Sequence, residues 1–182
     1  MSAVRFIVDA GPGNLMAKFL QLDPAAQGRF LVSEEVRREL LQGSSHPDHG
    51  RRQALFRDGV LQCRELTIDE GSAHALPLRA VKAKGFAEGE IQSIAVGLVE
   101  PDTVFVTQDK SALFVASAWL GAARAWTSLE FWDHLHNEGV IDEASTRIVM
   151  QAARNNAKEL YAGSLSRFAR WFVAPPAATS TS

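Results

Sequence analysis

The chain has 182 residues, 46% of them hydrophobic and 22% charged. That length suits one domain of roughly 150 residues with a short appendage, and the composition excludes collagen-like, coiled-coil and wholly disordered chains. Nineteen Lys and Arg against 21 Asp and Glu leave a net charge of -2, so no global basic field marks a polyanion partner, although a local patch stays open.

Val4 to Val8 is a short apolar run closed by Asp9 and the breakers Gly11, Pro12 and Gly13, which reads as a buried strand. Leu15, Met16, Phe19 and Leu20 recur at helical spacing and predict a helix ending near Asp23 and Pro24. Phe30 to Val32 is a second brief strand, and Ser33 can cap a helix with Val36 and Leu40 on one face. Gln42 to Arg52 has the Gly, Ser, His and Pro content of a solvated loop. Val60 to Thr67 reads as a strand, and Arg64 and Glu65 make it an edge strand or only half buried.

Ile91, Ile94, Ala95, Leu98 and Val99 form one stripe of a helix between Glu88 and Glu100. The run Thr103 to Thr107 is a fully apolar strand, followed by a helix over Ser111 to Leu120 and a short strand at Ala123 to Thr127. Strands alternating with helices imply a parallel sheet covered on both faces. Ser128 can then cap a helix reaching Gly139, and Asp142 another ending near Gly163. Leu165, Phe168, Trp171 and Phe172 make a short aromatic piece, and the small polar tail beyond it has too little apolar surface to order itself. The expected organisation is one domain over 1–137, a helical extension over 138–173 and a tail over 174–182.

The single cysteine, Cys63, excludes an intramolecular disulfide and a Cys-rich zinc site, reads as a buried strand residue and fits a reducing compartment. Asp9 arrives before an apolar leader has developed, and the uncharged run from Ser111 to Ala123 is shorter than the roughly 20 residues that span a bilayer. The expectation is a soluble, cytoplasmic protein without a membrane partner.

Ligands of α/β folds collect outside the carboxyl ends of the strands, which gives weight to Asp9 and Asp109. A carboxylate held at an apolar strand end needs a positive neighbour, and two such acids together favour a cation over two separate helix caps. Glu39 and Glu90 lie on the second and third of the expected helices; each alone would read as a solvated surface acid.

As an ordered set, Asp9 in FIVDAGP, Glu39 in VSEEVRREL, Glu90 in GEIQSIAVGL and Asp109 in FVTQDKSAL resemble the four acidic motifs of PIN-domain nucleases, over roughly Val4 to Asp133. The resemblance implies a three-layer α/β/α sandwich with a central, mainly parallel sheet. It implies that the four carboxylates converge on one or two Mg²⁺ or Mn²⁺ ions that cut RNA, with Asp9, Glu90 and Asp109 as ligands and Glu39 orienting a water or holding a second ion. Thr107 matches a family hydroxyl that hydrogen-bonds within the acidic site. It further implies a ribonuclease toxin of a toxin-antitoxin pair, a homodimer, and a cognate antitoxin as partner. Carboxylates without His or Cys are the appropriate donors for such hard cations. Gly13 and Asn14 depart from the family pattern, and Asn14 reads either as a pocket ligand or as a turn residue.

Arg37, Arg38, Arg51, Arg52, Lys82, Lys84 and Lys110 flank the motifs and are candidates for RNA phosphates, or else ordinary solubilising charges. His46, Asp48 and His49 could ligate a metal, but sit in a polar loop; His134 and His136, two apart on a helix, point in different directions. No GxGxxG, GxxxxGK[ST] or GxSxG motif occurs, which removes the simplest nucleotide-binding and serine-hydrolase readings. Ser33 and Ser111 suit helix caps better than nucleophiles. A catalytically silent module of the same fold, binding RNA or protein, is the alternative.

Overall fold

A computed structural model describes residues 4–19, 27–81, 86–156 and 165–172. Five short strands form one sheet: β1 (Arg5–Val8), β2 (Phe30–Ser33), β3 (Leu61–Arg64), β4 (Thr103–Thr107) and β5 (Ala125–Thr127). Their order is β3-β2-β1-β4-β5 and every pairing is parallel. β1 is central, with Phe6 in register with Phe30 on one side and Val104 on the other, and Ile7 with Leu31 and Phe105.

Because side chains alternate along a strand, the sheet has two apolar faces. Phe6, Val8, Phe30, Val32, Val104 and Val106 pack on one side with residues from α1 (Ala10–Phe19), α2 (Glu34–Leu41), α3 (His49–Arg57), α8 (Ser128–Asn137) and α9 (Glu143–Asn156). Ile7, Leu31, Phe105 and Ala125 pack on the other with α5 (Leu76–Arg79), α6 (Glu88–Val99) and α7 (Lys110–Leu120). This is an α/β chain with an all-parallel sheet, compatible with a three-layer sandwich. Val149, Met150 and Ala153 of α9, with Phe168 and Trp171 beyond it, join the same buried cluster as β1 and β2. A hydrogen bond of 2.7 Å from Trp171 Nε1 to Asp133 Oδ1, and the Arg170–Asp133 ion pair, fasten that last turn to α8.

Several boundaries differ from the sequence reading. Gly11, Pro12 and Gly13 do not separate β1 from its helix but form the first turn of α1, where a missing Pro N–H costs nothing because those amides have no intrahelical partner. Gln42 to Arg52 is not loop throughout, since α3 begins at His49. The stretch Ile68–Arg79, to which the sequence assigns no element, is a continuous helical path of α4 (Ile68–Glu70), a π turn (Gly71–Ala75) and α5. Ser111 and Ser128 are not caps: Asp109 Oδ1 accepts from Ala112 N at 2.8 Å, and Thr127 forms a capping box with Glu130. Ser33 does cap α2, accepting from Val36 N. β3 is an edge strand as expected, and its Arg64 pairs with Glu70 and Glu100 at 2.7 and 2.9 Å. The expected ends of α1 near Asp23 and of α9 near Gly163 lie outside the described residues. Among the described residues no helix is long and apolar enough to cross a membrane.

Candidate functional site

The chain runs from β1 to β2 on one side of the sheet and reaches β4 on the other, so β1 and β4 flank the point where the strand order reverses. In open parallel sheets the crevice at the carboxyl ends of two such strands is where ligands settle. Asp9 is the first residue after β1 and Asp109 the second after β4. Asp9 N donates to Val106 O at 3.0 Å, which holds the end of β1 against β4. Thr107, fully buried, ties the acids together: its hydroxyl donates to Asp9 Oδ2 at 2.8 Å and accepts from Asp109 N at 3.0 Å. The other Asp9 oxygen accepts from Ala10 N at 2.8 Å.

Glu90 lies in the first turn of α6 and is only 8% exposed. Its Oε2 accepts from Ala87 N at 2.6 Å, so it reaches back to the start of its own helix. α2 docks onto the next turn of the same helix: Ser33 Oγ and Ser93 Oγ are 3.1 Å apart, and Glu35 N donates to Gln92 Oε1 at 3.3 Å. Glu39, one turn further along α2, stands over Gly89; a Cβ on Gly89 would lie 2.8 Å from Glu39 Oε1.

Asp9, Glu39 and Glu90 are all shifted in the same direction. Burial pushes the Asp9 carboxyl up, against hydrogen bonds from Thr107 and Ala10, and the Asp109 charge adds to the rise. Burial pushes Glu90 up to about 7, with Asp9, Asp109 and Glu39 adding to it against the hydrogen bond from Ala87. Partial desolvation raises Glu39, although the residue is largely exposed, and the Asp9 and Glu35 charges add to it. Among the described residues none of the four has an ion-pair partner, whereas Glu70, Glu88, Glu100 and Asp133 each have an arginine. The fold therefore gathers four acids within electrostatic reach of one another, and among the described residues no basic side chain forms an ion pair with them.

The donor set, all carboxylate, fits a hard divalent cation. The side chains as they stand do not close into a ligand cage: among the described residues no group of three or more His, Cys, Asp or Glu could hold a metal ion. Like charges repel when nothing positive lies between them, and Glu90 and Asp109 turn an oxygen to cap α6 and α7 instead.

The basic candidates fare unevenly. Lys110 is exposed, directly after Asp109. Arg38 pairs with Glu34 and Glu35, and Arg37 lies beside Cys63, whose thiol burial pushes up. Arg51 and Arg52 donate to Lys18 O and Leu40 O, at the ends of α1 and α2, a structural duty that lessens their availability to phosphates. Lys82 and Lys84 lie outside the described residues. His46 accepts from Asp48 N at 3.1 Å and contacts Arg52; His134 packs edge-on to Phe6 and Trp126, and His136 edge-on to Trp171. Cys63 is half-buried on β3 rather than fully buried.

Sequence reasoning missed Gly11 and Gly89 as site residues. A Cβ on Gly11 would lie 2.7 Å from Gln108 Oε1, so that glycine admits the side chain between Thr107 and Asp109. The available signal was their position, Gly89 next to Glu90 and Gly11 two residues after Asp9. Gln108 Nε2 and Asn14 Oδ1 are buried atoms without a hydrogen-bond partner among the described residues. No protein-family model, curated protein or solved structure matches the chain.

Proposed function

We propose that this protein is a Mg²⁺- or Mn²⁺-dependent ribonuclease of the PIN kind that hydrolyses RNA phosphodiester bonds, and that it acts as the toxin of a toxin-antitoxin pair. The observation that carries the reading is the gathering of Asp9, Glu39, Glu90 and Asp109 at the strand-order reversal without an ion-pair partner among the described residues. Four carboxylates so placed cost free energy that a divalent cation offsets. Asp9, Glu90 and Asp109 would hold the ion, which supplies Lewis acidity at a phosphoryl oxygen and a water acidic enough to attack phosphorus near neutral pH.

The chain's own groups do the rest. Thr107 fixes the Asp9 carboxylate and the backbone of Asp109 relative to each other. Glu39, exposed and without a hydrogen-bond partner among the described residues, is free to orient a water or a second ion. Lys110 offers a positive contact to a phosphate one residue from Asp109. A cognate antitoxin and a second copy of the chain are the partners this reading carries.

The test is cleavage of a mixed RNA pool by purified protein in EDTA, Mg²⁺ or Mn²⁺, with Asp9→Asn and Asp109→Asn alongside. Metal-dependent cleavage by wild type and at least a hundredfold loss in both variants is the expected result. RNA left intact in every condition, with no metal-induced change in melting temperature, would refute it. A second reading, a catalytically silent RNA- or protein-binding module, is favoured by one specific observation: Glu90 and Asp109 already serve as helix caps. Under that reading RNA is bound equally well in EDTA and by the Asn variants.

A further inference from the structure

We propose, resting on the metal-site reading of the same acids, that Gly89 is a positioning residue: by carrying no side chain it keeps the seat on the first turn of α6 in which the Glu39 carboxylate lies. A Cβ at position 89 would approach Glu39 Oε1 to 2.8 Å, Glu39 Cδ to 3.5 Å and Val36 Cγ2 to 3.3 Å. Real Cβ atoms do not tolerate the first of these distances, so something must move.

The three neighbours differ in their freedom. Val36 is fully buried in the core, and its helix is held to α6 through the Ser33–Ser93 hydroxyl pair, the contact of Ser33 Oγ with Gly89 O and the Glu35 N–Gln92 hydrogen bond. The Glu39 carboxylate is the far end of an exposed side chain with no hydrogen-bond or ion-pair partner among the described residues. A methyl at 89 is therefore accommodated by swinging Glu39 out and by a give of a few tenths of an ångström at Val36, with α2 and α6 staying docked. Gly89 is the second residue of α6, where the helix itself makes no demand for a glycine. Gly89→Ala thus removes Glu39 from the site without removing its charge from the protein.

A double-mutant cycle of Gly89→Ala and Glu39→Ala on the full chain tests this, read by Mn²⁺ affinity in calorimetry, by kcat and KM for RNA cleavage, and by melting temperature in EDTA. With Glu39 present, Gly89→Ala should weaken Mn²⁺ binding or kcat about tenfold, the size of effect expected when a ligand loses its support, and leave KM within about twofold. In the Glu39→Ala background the same substitution should change both by less than about twofold and should lower the melting temperature less than it does with Glu39 present. Equal effects of Gly89→Ala in the two backgrounds would overturn the proposal. Wild type that neither binds Mn²⁺ nor cleaves RNA would instead overturn the metal-site reading, while the melting-temperature cycle still reports whether the methyl and Glu39 collide. If Gly89→Ala alone fails to fold but folds with Glu39→Ala, the collision stands; failure in both backgrounds places the obstruction at Val36 and refutes the proposed seat.

Discussion

Replacing Glu90 by Gln should stabilise the metal-free protein at pH 8 and change it little at acid pH. The carboxyl is raised from 4.5 to about 7 in the folded chain, so between those values the folded state binds more protons than the unfolded state, and stability falls as pH rises through the window. At about 1.4 kcal/mol per pH unit, the full penalty is about 3 kcal/mol once pH exceeds the folded value. Gln keeps an oxygen for the Ala87 amide that Glu90 now satisfies but carries no charge, so it escapes the penalty. For a chain of this length, about 3 kcal/mol corresponds to roughly 6 to 12 °C in melting temperature. Urea or thermal unfolding in EDTA at pH 5, 6, 7 and 8 measures the difference, which should shrink toward zero near pH 4.5. The residual slope of the variant belongs to Asp9 and Glu39, which are raised in the same direction. Adding Mg²⁺ at pH 8 should then stabilise wild type more than Glu90→Gln, because only the former offers the third carboxylate. Identical pH slopes for the two proteins would refute the assignment of Glu90 as a buried, charge-crowded acid.

Two further outcomes concern the frame around the site. Arg124 donates to Gly97 O, Glu100 O and Thr103 O at 2.6, 2.9 and 2.8 Å, satisfying the carboxyl end of α6 and the entry to β4; Arg124→Met should cost about 3 kcal/mol by chemical denaturation, because it strands those carbonyls in a partly buried place. Phe131 is fully buried and meets Phe6 edge-on at 5.1 Å and Phe30 at 5.9 Å; Phe131→Ala should cost about 3 to 5 kcal/mol through the cavity it leaves, and a loss below about 1 kcal/mol would mean that α8 does not seal that face of the sheet.

Much of the strand pattern was legible because it is local. Phe6–Val8, Phe30–Val32 and Thr103–Thr107 are short apolar runs bounded by breakers or acids, and a strand buried on both faces needs no more than that. The stripe of α6 and the Ser33 cap were legible for the same reason. Asp9 and Asp109 stood out because the first follows such a run directly and the second one residue later. Local chemistry also misled: Gly11, Pro12 and Gly13 signal a turn, but the first turn of a helix makes no demand on their amides. Asp109 and Thr127 outcompete the serines beside them as caps because their strands end there, which fixes where each helix starts.

Tertiary structure alone decided the strand order, and with it the fact that Asp9 and Asp109 lie side by side across 100 residues of sequence, bridged by Thr107. Pairing of β1 with β4 depends on which helices cover which face, and no single segment encodes that. It also decided that Glu39 meets Gly89, since the docking of α2 on α6 joins two segments that share no local signal. The sequence by itself supplies the four acids; their charge crowding arises only when the parallel sheet brings its strand ends together.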